Sequence, residues 1–250
     1  TSDATGKVTV RVNAGTIPTP IRVSASLVGT PAIATVSSNL SVSVGLPSQL
    51  NFSLSQATRN IEGFNLDGTP NSYTLIASDR NGNPVPNGTS INFVTEGGQI
   101  QPIVRTAGSP VGASVSAVAT AQFQSSSPRP PDGRVTVTTY ALGEESFIDQ
   151  NGNNIHDAGE PFQDLGNVFK DRVFDGFYDV SLDEYVPTNI ANTSACVAPG
   201  AAAGATTATT ALLALDPSIP SMGGSTCDGS WSGGGKVYVR RATETVLSTS

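Results

Sequence analysis

Apolar and polar side chains alternate at period two in segment after segment of this chain, and that rhythm restricts the fold more than any other feature. Lys7-Val-Thr-Val-Arg-Val12, Ile21-Arg-Val-Ser-Ala-Ser-Leu27, Leu40-Ser-Val-Ser-Val44 and Leu50-Asn-Phe-Ser-Leu54 all show it. So do Tyr73-Thr-Leu-Ile-Ala77, Ser90-Ile-Asn-Phe-Val94, Arg134-Val-Thr-Val-Thr-Thr-Tyr140 and part of Lys236 to Val246, with Val115 to Phe123 as a further strand. Residues two apart share one face of a strand, so each segment reads as a strand with one buried face. Tight-turn and strand-stop signals separate them: Leu46-Pro47, Asn81-Gly-Asn-Pro84, Gly97-Gly98 and Pro128 to Gly133. Short strands with no helical periodicity between them predict an all-β chain, an antiparallel β-sandwich over residues 1 to about 143.

Composition removes several classes of function. With 37% hydrophobic and 13% charged residues, 26 Gly and 17 Pro, the chain cannot be a long-helix or coiled-coil protein. The stretch from Ala201 to Leu215 is too short and too polar to cross a bilayer, so neither a membrane span nor a retained signal peptide is expected. The formal charge is -7, the pI is near 4.6, and no run of Lys or Arg occurs. Nucleic acid is therefore not an expected partner, because such binding rests on neutralising phosphates.

The negative charge is concentrated. Residues 144 to 184 hold eleven of the twenty acids, against Lys170 and Arg172 alone as cations. Within them, Asp149-Gln-Asn-Gly-Asn-Asn-Ile-His-Asp-Ala-Gly-Glu160 is similar to the twelve-residue EF-hand calcium loop. Counting from Asp149, oxygen-bearing side chains fall at positions one, three, five, nine and twelve (Asp149, Asn151, Asn153, Asp157 and Glu160), with the Ile155 carbonyl at seven. A hard cation takes about six to eight oxygens, and one short loop can wrap them around it. Asn154 stands where such loops carry Gly, and His156 where they carry an aliphatic residue. The flanks lack helical periodicity, so this would be a calcium loop outside a helix-loop-helix. The competing reading is a plain polar hairpin turn, which would leave its carboxylates repelling one another. A second, less complete set follows: Asp171, Asp175, the Phe177 carbonyl and Asp179, with Asp183 or Glu184 in place of missing ligands, and Asp164 available to either ion. Phe162, Phe169, Phe174, Phe177 and Tyr178 read as the core of this subdomain rather than as a ligand platform.

Cys196 and Cys227 are the only cysteines and bracket a low-complexity Ala/Thr stretch. Their spacing is not that of a metal site. A disulfide there would stabilise by about 3–4 kcal/mol on the chain-entropy model and would place the chain outside the cytoplasm. Enzyme readings fail on the residues available: His156 is the sole imidazole, and no G-x-S-x-G or phosphate-cradling glycine motif occurs. The acids are spaced as ligands rather than as a glycosidase pair.

At Tyr73 to Phe93 the chain resembles the bacterial immunoglobulin-like repeats of invasin/intimin-type surface proteins. The resemblance is carried by Asp79, Asn81-Gly-Asn-Pro-Val85, Gly88 and Ile91-Asn-Phe93, and again by Asp132-Gly-Arg-Val-Thr-Val137. It covers about residues 40 to 140. It implies an Ig-like sandwich within a long bacterial surface or extracellular protein, with neighbouring Ig-like repeats or copies of itself as partners. The expected organisation is residues 1–35 as closing strands of a preceding repeat or recruited edge strands, 36–143 as the sandwich, 144–235 as a calcium-binding, disulfide-closed excursion, and 236–250 as a returning or linker strand. The function expected is a non-catalytic, calcium-stabilised structural or adhesive module. Two alternatives stand beside it: a receptor- or glycan-binding module using the excursion and Trp231, and a fibre subunit whose Lys7 to Val12 strand completes a neighbour's sheet.

Overall fold

A computed structural model describes residues 2–13, 19–37, 40–42, 45–108, 117–175, 178, 181–188 and 231–249. It divides into two compact units, Thr1–Val44 and Gly45–Ser250. Both are built from β-strands, and the only helical element among the described residues is a 3-10 turn at Gln49–Asn51. Among the described residues, no helix is long and apolar enough to cross a membrane.

In the first unit, β1 (Thr19–Ile21) pairs antiparallel with β4 (Leu40–Val42), and β2 (Ser24–Leu27) forms a hairpin with β3 (Thr30–Val36). The expected strand at Ile21 to Leu27 is thus two strands with different partners. Residues 7–12 alternate but form no strand, because alternation supplies a face and not a ladder partner. Every residue of β2 and β3 is exposed. The expected break after residue 35 would cut β3 one residue before its end, whereas contacts divide the chain after Val44, because β3 and β4 pair back onto β2 and β1.

The second unit has a four-stranded and a five-stranded sheet. The first runs β5 (Phe52–Gln56), β7 (Pro70–Ala77), β11 (Val118–Gln124), β9 (Gln99–Ile100). The second runs β10 (Ile103–Arg105), β8 (Ser90–Thr95), β12 (Arg134–Gly143), β15 (Val237–Ser248), β6 (Asn60–Glu62). All pairs are antiparallel except β15 with β6. Inward side chains of both sheets share one apolar cluster, with Phe52, Tyr73, Leu75 and Phe123 from one and Phe93, Val137 and Val239 from the other. This is a β-sandwich-like arrangement. The Tyr73 ring meets Phe123 edge-on at 6.0 Å, and its hydroxyl lies 2.6 Å from Thr245 Oγ1 across the core.

The outer face of the five-stranded sheet is covered as well. Thr136 and Thr138 of β12 point away from the core yet are buried, and Arg240 of β15 stacks on Phe169 and donates to the Gly166 carbonyl. Phe169 belongs to β13 (Phe169–Lys170), which pairs with β14 (Glu184–Tyr185). The acidic excursion therefore departs after β12, folds back over that sheet, and returns as β15 between β12 and β6.

Candidate metal centre

Glycine is required where the excursion departs: a Cβ on Gly143 would sit 2.3 Å from the Pro47 carbonyl oxygen and 2.8 Å from Val239 Cγ1. From there the chain is stitched to the segment entering the sandwich. Glu144 N donates to the Pro47 carbonyl at 3.0 Å, and Ser146 Oγ accepts from Leu50 N at 3.1 Å and lies 2.9 Å from Ser48 Oγ. Phe147 then bridges Phe162 antiparallel, and Ile148 N donates to the Pro161 carbonyl at 2.7 Å. These contacts close the neck of the 149–160 loop with extended chain, where an EF-hand has helices.

Asp149 Oδ1 accepts the main-chain N–H groups of Gly152 (2.6 Å) and Asn153 (3.2 Å), and Oδ2 that of Asn154 (2.7 Å). These bonds, led by that of Asn154, hold the Asp149 carboxyl below its ordinary range. Asn151 Nδ2 and Asn153 Nδ2 donate to the same oxygen, Asp157 Oδ2, at 2.6 and 2.8 Å, so three candidate ligands converge. Each amide oxygen accepts one main-chain N–H, from Asn153 at 3.0 Å and from Ile155 at 2.7 Å, and keeps a second lone pair. Glu160 is buried and reaches back across the loop, accepting from Gln150 N at 2.9 Å and Asp157 N at 3.0 Å. Asn154, in place of Gly, takes the left-handed conformation with φ 62°.

His156 explains the other departure from the loop pattern. Its ring stacks on Trp231 at 5.1 Å and 17°, flanked edge-on by Phe147 and Phe162 at 5.4 Å each. The position aliphatic in EF-hands thus carries an aromatic that seats the loop. Trp231 in turn donates through Nε1 to the Glu145 carbonyl at 2.9 Å. The Glu145 carboxylate, 2% exposed, accepts Leu165 N through Oε1 at 2.7 Å and Ser232 N through Oε2 at 2.6 Å. It pins both ends of the described excursion and faces Arg240, whose guanidinium burial pushes down to about 10, with Tyr185 and Glu145 opposing.

The second set is placed differently. Asp171 accepts Asp175 N at 3.2 Å, and Asp183 accepts Arg172 N at 2.9 Å. Glu184 instead pairs with Lys170 Nζ at 3.3 Å and Arg172 Nη2 at 3.0 Å. Asp164 is buried. Phe177, Asp179, Cys196 and Cys227 lie outside the described residues.

Among the described residues, no three His, Cys, Asp or Glu side chains gather as a metal-binding group. What the 149–160 loop offers is a mixed set of carboxylate, amide and main-chain oxygens, the donor chemistry of calcium rather than of zinc. Arg80 and Glu145 are the site residues that sequence reasoning missed. Most of their partners lie 64 to 87 positions away and the nearest, Leu165, lies 20 from Glu145, and no local pattern marks them. In comparisons with known proteins, the chain matches no family model, no curated protein and no solved structure.

Proposed function

We propose that this chain is a non-catalytic, Ig-like structural and adhesive module of a bacterial cell-surface or extracellular protein, whose excursion is ordered by calcium held at residues 149–160. The strand order carries the reading. Taking β5, β7, β8, β9, β11, β12 and β15 as strands A to G, the four-stranded sheet reads A-B-E-D and the five-stranded one carries C-F-G between β10 and β6, an order that supports a constant-type immunoglobulin reading. The excursion then occupies the F–G connection, one of the loops that Ig-type sandwiches use for binding.

Calcium is the cofactor that the donor set fits. Asp149, Asn151, Asn153, Asp157 and Glu160 would supply side-chain oxygens and Ile155 its carbonyl; the bound ion would supply positive charge among the carboxylates. Millimolar calcium is an extracellular condition, and loops of this kind in extracellular modules bind in that range.

Thermal unfolding with and without calcium tests the proposal. Saturation at about a hundred times Kd stabilises by about 2.7 kcal/mol, a rise in midpoint of roughly 5–10 °C for a domain of this size. Trp231, the only tryptophan, stacks on the loop's own His156 and should sensitise terbium luminescence. An unchanged midpoint after EDTA, with no terbium signal and no retained metal, would remove calcium from the reading.

The exposed β2–β3 hairpin and the unpaired alternation of Val8, Val10 and Val12 favour a second reading, assembly of copies by strand addition. Deleting residues 1–14 should then lower the assembled fraction in size-exclusion chromatography.

A further inference from the structure

Arg80 lies outside the loop, in the turn between β7 and β8. The turn is fixed by Asp79 Oδ1, which accepts Asn81 N and Asn83 N at 2.9 Å each. The Arg80 guanidinium reaches three points of one stretch of the excursion. Nη1 lies 3.5 Å from Glu144 Oε1, Cζ sits 5.2 Å from the centre of the Phe147 ring, and Nη2 donates to the main-chain carbonyl of Asn154. Glu144 is itself buried, and burial pushes its carboxyl above the ordinary range while Arg80 pulls it down.

The third contact bears on ion binding. The peptide joining Asn154 to Ile155 is a rigid plane. Its carbonyl is held by Arg80 and its N–H by Asn153 Oδ1 at 2.7 Å, so both ends are fixed. The next carbonyl along the chain, that of Ile155, is the loop's main-chain ligand at position seven. Position six normally needs Gly; here Asn154 occupies it with φ 62°, a conformation unfavourable for a residue with a Cβ.

We propose that Arg80 is the positioning residue of the calcium loop: from the sandwich, it holds the Asn154–Ile155 peptide so that the Ile155 carbonyl faces the ion, and thereby couples ion binding to the β7–β8 turn. This rests on the calcium reading above. Arginine suits the task because one planar fork donates to two acceptors while stacking on an aromatic ring, which a lysine ammonium cannot do. Reciprocity follows: if Arg80 favours the ion-binding loop, calcium tightens the Arg80 contacts to the same extent.

The sign of one measurement separates positioning from bulk charge. A fixed cation near a cation site opposes binding, so an arginine acting only through its charge would, when removed, leave calcium bound more tightly. Positioning predicts the reverse, a loss in the range of about 10–100-fold typical of outer partners of metal ligands. Calcium titration calorimetry and Trp231-sensitised terbium luminescence on the full chain, for wild type, Arg80→Met and Arg80→Lys, give the affinities. Weaker binding by both variants, with far-UV circular dichroism unchanged, supports the proposal. So does a smaller penalty for losing Arg80 in an Asn154→Gly background, where the loop needs less support. Unchanged or tighter binding by Arg80→Met overturns the role of Arg80 and leaves the calcium site standing. A wild type that binds neither ion overturns the calcium reading itself, and this proposal with it. If Arg80→Met fails to fold, Arg80→Lys and the Asn154→Gly pair decide the matter alone.

Discussion

Replacing Glu145 with Ala should detach the excursion from the sandwich without touching the apolar core. The carboxylate is buried and accepts two main-chain N–H groups, from buried Leu165 and half-buried Ser232. Each orphaned donor costs about 1–3 kcal/mol. Arg240, buried on the same side of the sheet, also loses some opposing charge. Two such donors make about 4 kcal/mol the expected total. For a domain of this size that lowers the midpoint by roughly 10 °C. Alanine keeps the main chain, so the bond from Trp231 Nε1 to the carbonyl at 145 can persist. Glu145→Gln should fall between, since its amide oxygen satisfies one N–H while its NH2 faces the other. Urea unfolding followed in parallel by Trp231 fluorescence and circular dichroism gives both quantities. The fluorescence transition should move to lower urea ahead of the dichroism transition. A loss below about 1 kcal/mol in Glu145→Ala, or two coincident and unshifted transitions, would refute the reasoning.

Other outcomes follow from single contacts. Tyr73→Phe removes a hydroxyl 2.6 Å from Thr245 Oγ1 and should cost about 1 kcal/mol in urea unfolding, since Thr245 retains its bond to Gln56. Gly98→Ala should cost about 1–3 kcal/mol, because φ is +72° and the new Cβ would sit 2.5 Å from the Phe123 ring. Burial pushes the Glu96 carboxyl above its ordinary range, with the Thr136 amide opposing and Asp132 reinforcing the rise. A carboxyl whose value is higher folded than unfolded holds its proton more tightly in the folded state. Its stabilisation is therefore complete below the unfolded value and is lost as pH rises through the folded one. Glu96→Gln should thus raise the midpoint slightly at neutral pH, by a few tenths of a kcal/mol, with the gain vanishing as acid protonates the wild-type carboxyl.

Alternation identified the strands where a face is buried and a partner is at hand. The side chains of β7 run buried, half-buried, buried along Tyr73 to Leu75, as the residue types require. Residues 7–12 show the same alternation without a ladder, and Thr136 and Thr138, which alternation assigns to solvent, lie buried beneath the excursion. What covers a strand's outer face is decided by residues far along the chain. The same limit applies to the site. Spacing singled out Asp149 to Glu160, and within it the side chains of Asn151, Asn153 and Asp157 do meet. Spacing also grouped Glu184 with the second set, yet two cations claim that carboxylate. The aromatic seat of His156, Phe147, Phe162 and Trp231 draws on both ends of the excursion, and only folding brings them together.

The placement of β15 has a consequence for biogenesis. It follows every other described strand in sequence yet lies in the interior of its sheet, between β12 and β6, and Ser248 Oγ bonds the Ile61 carbonyl across 187 positions. A polypeptide emerging amino end first from a ribosome or a translocation channel cannot seal this sheet until residues 237–248 are free. Until then one wall of the core stands open beside β12. A nascent chain halted anywhere before residue 237 would accordingly remain sensitive to protease, and release of β15 should convert it in a single step to the resistant form.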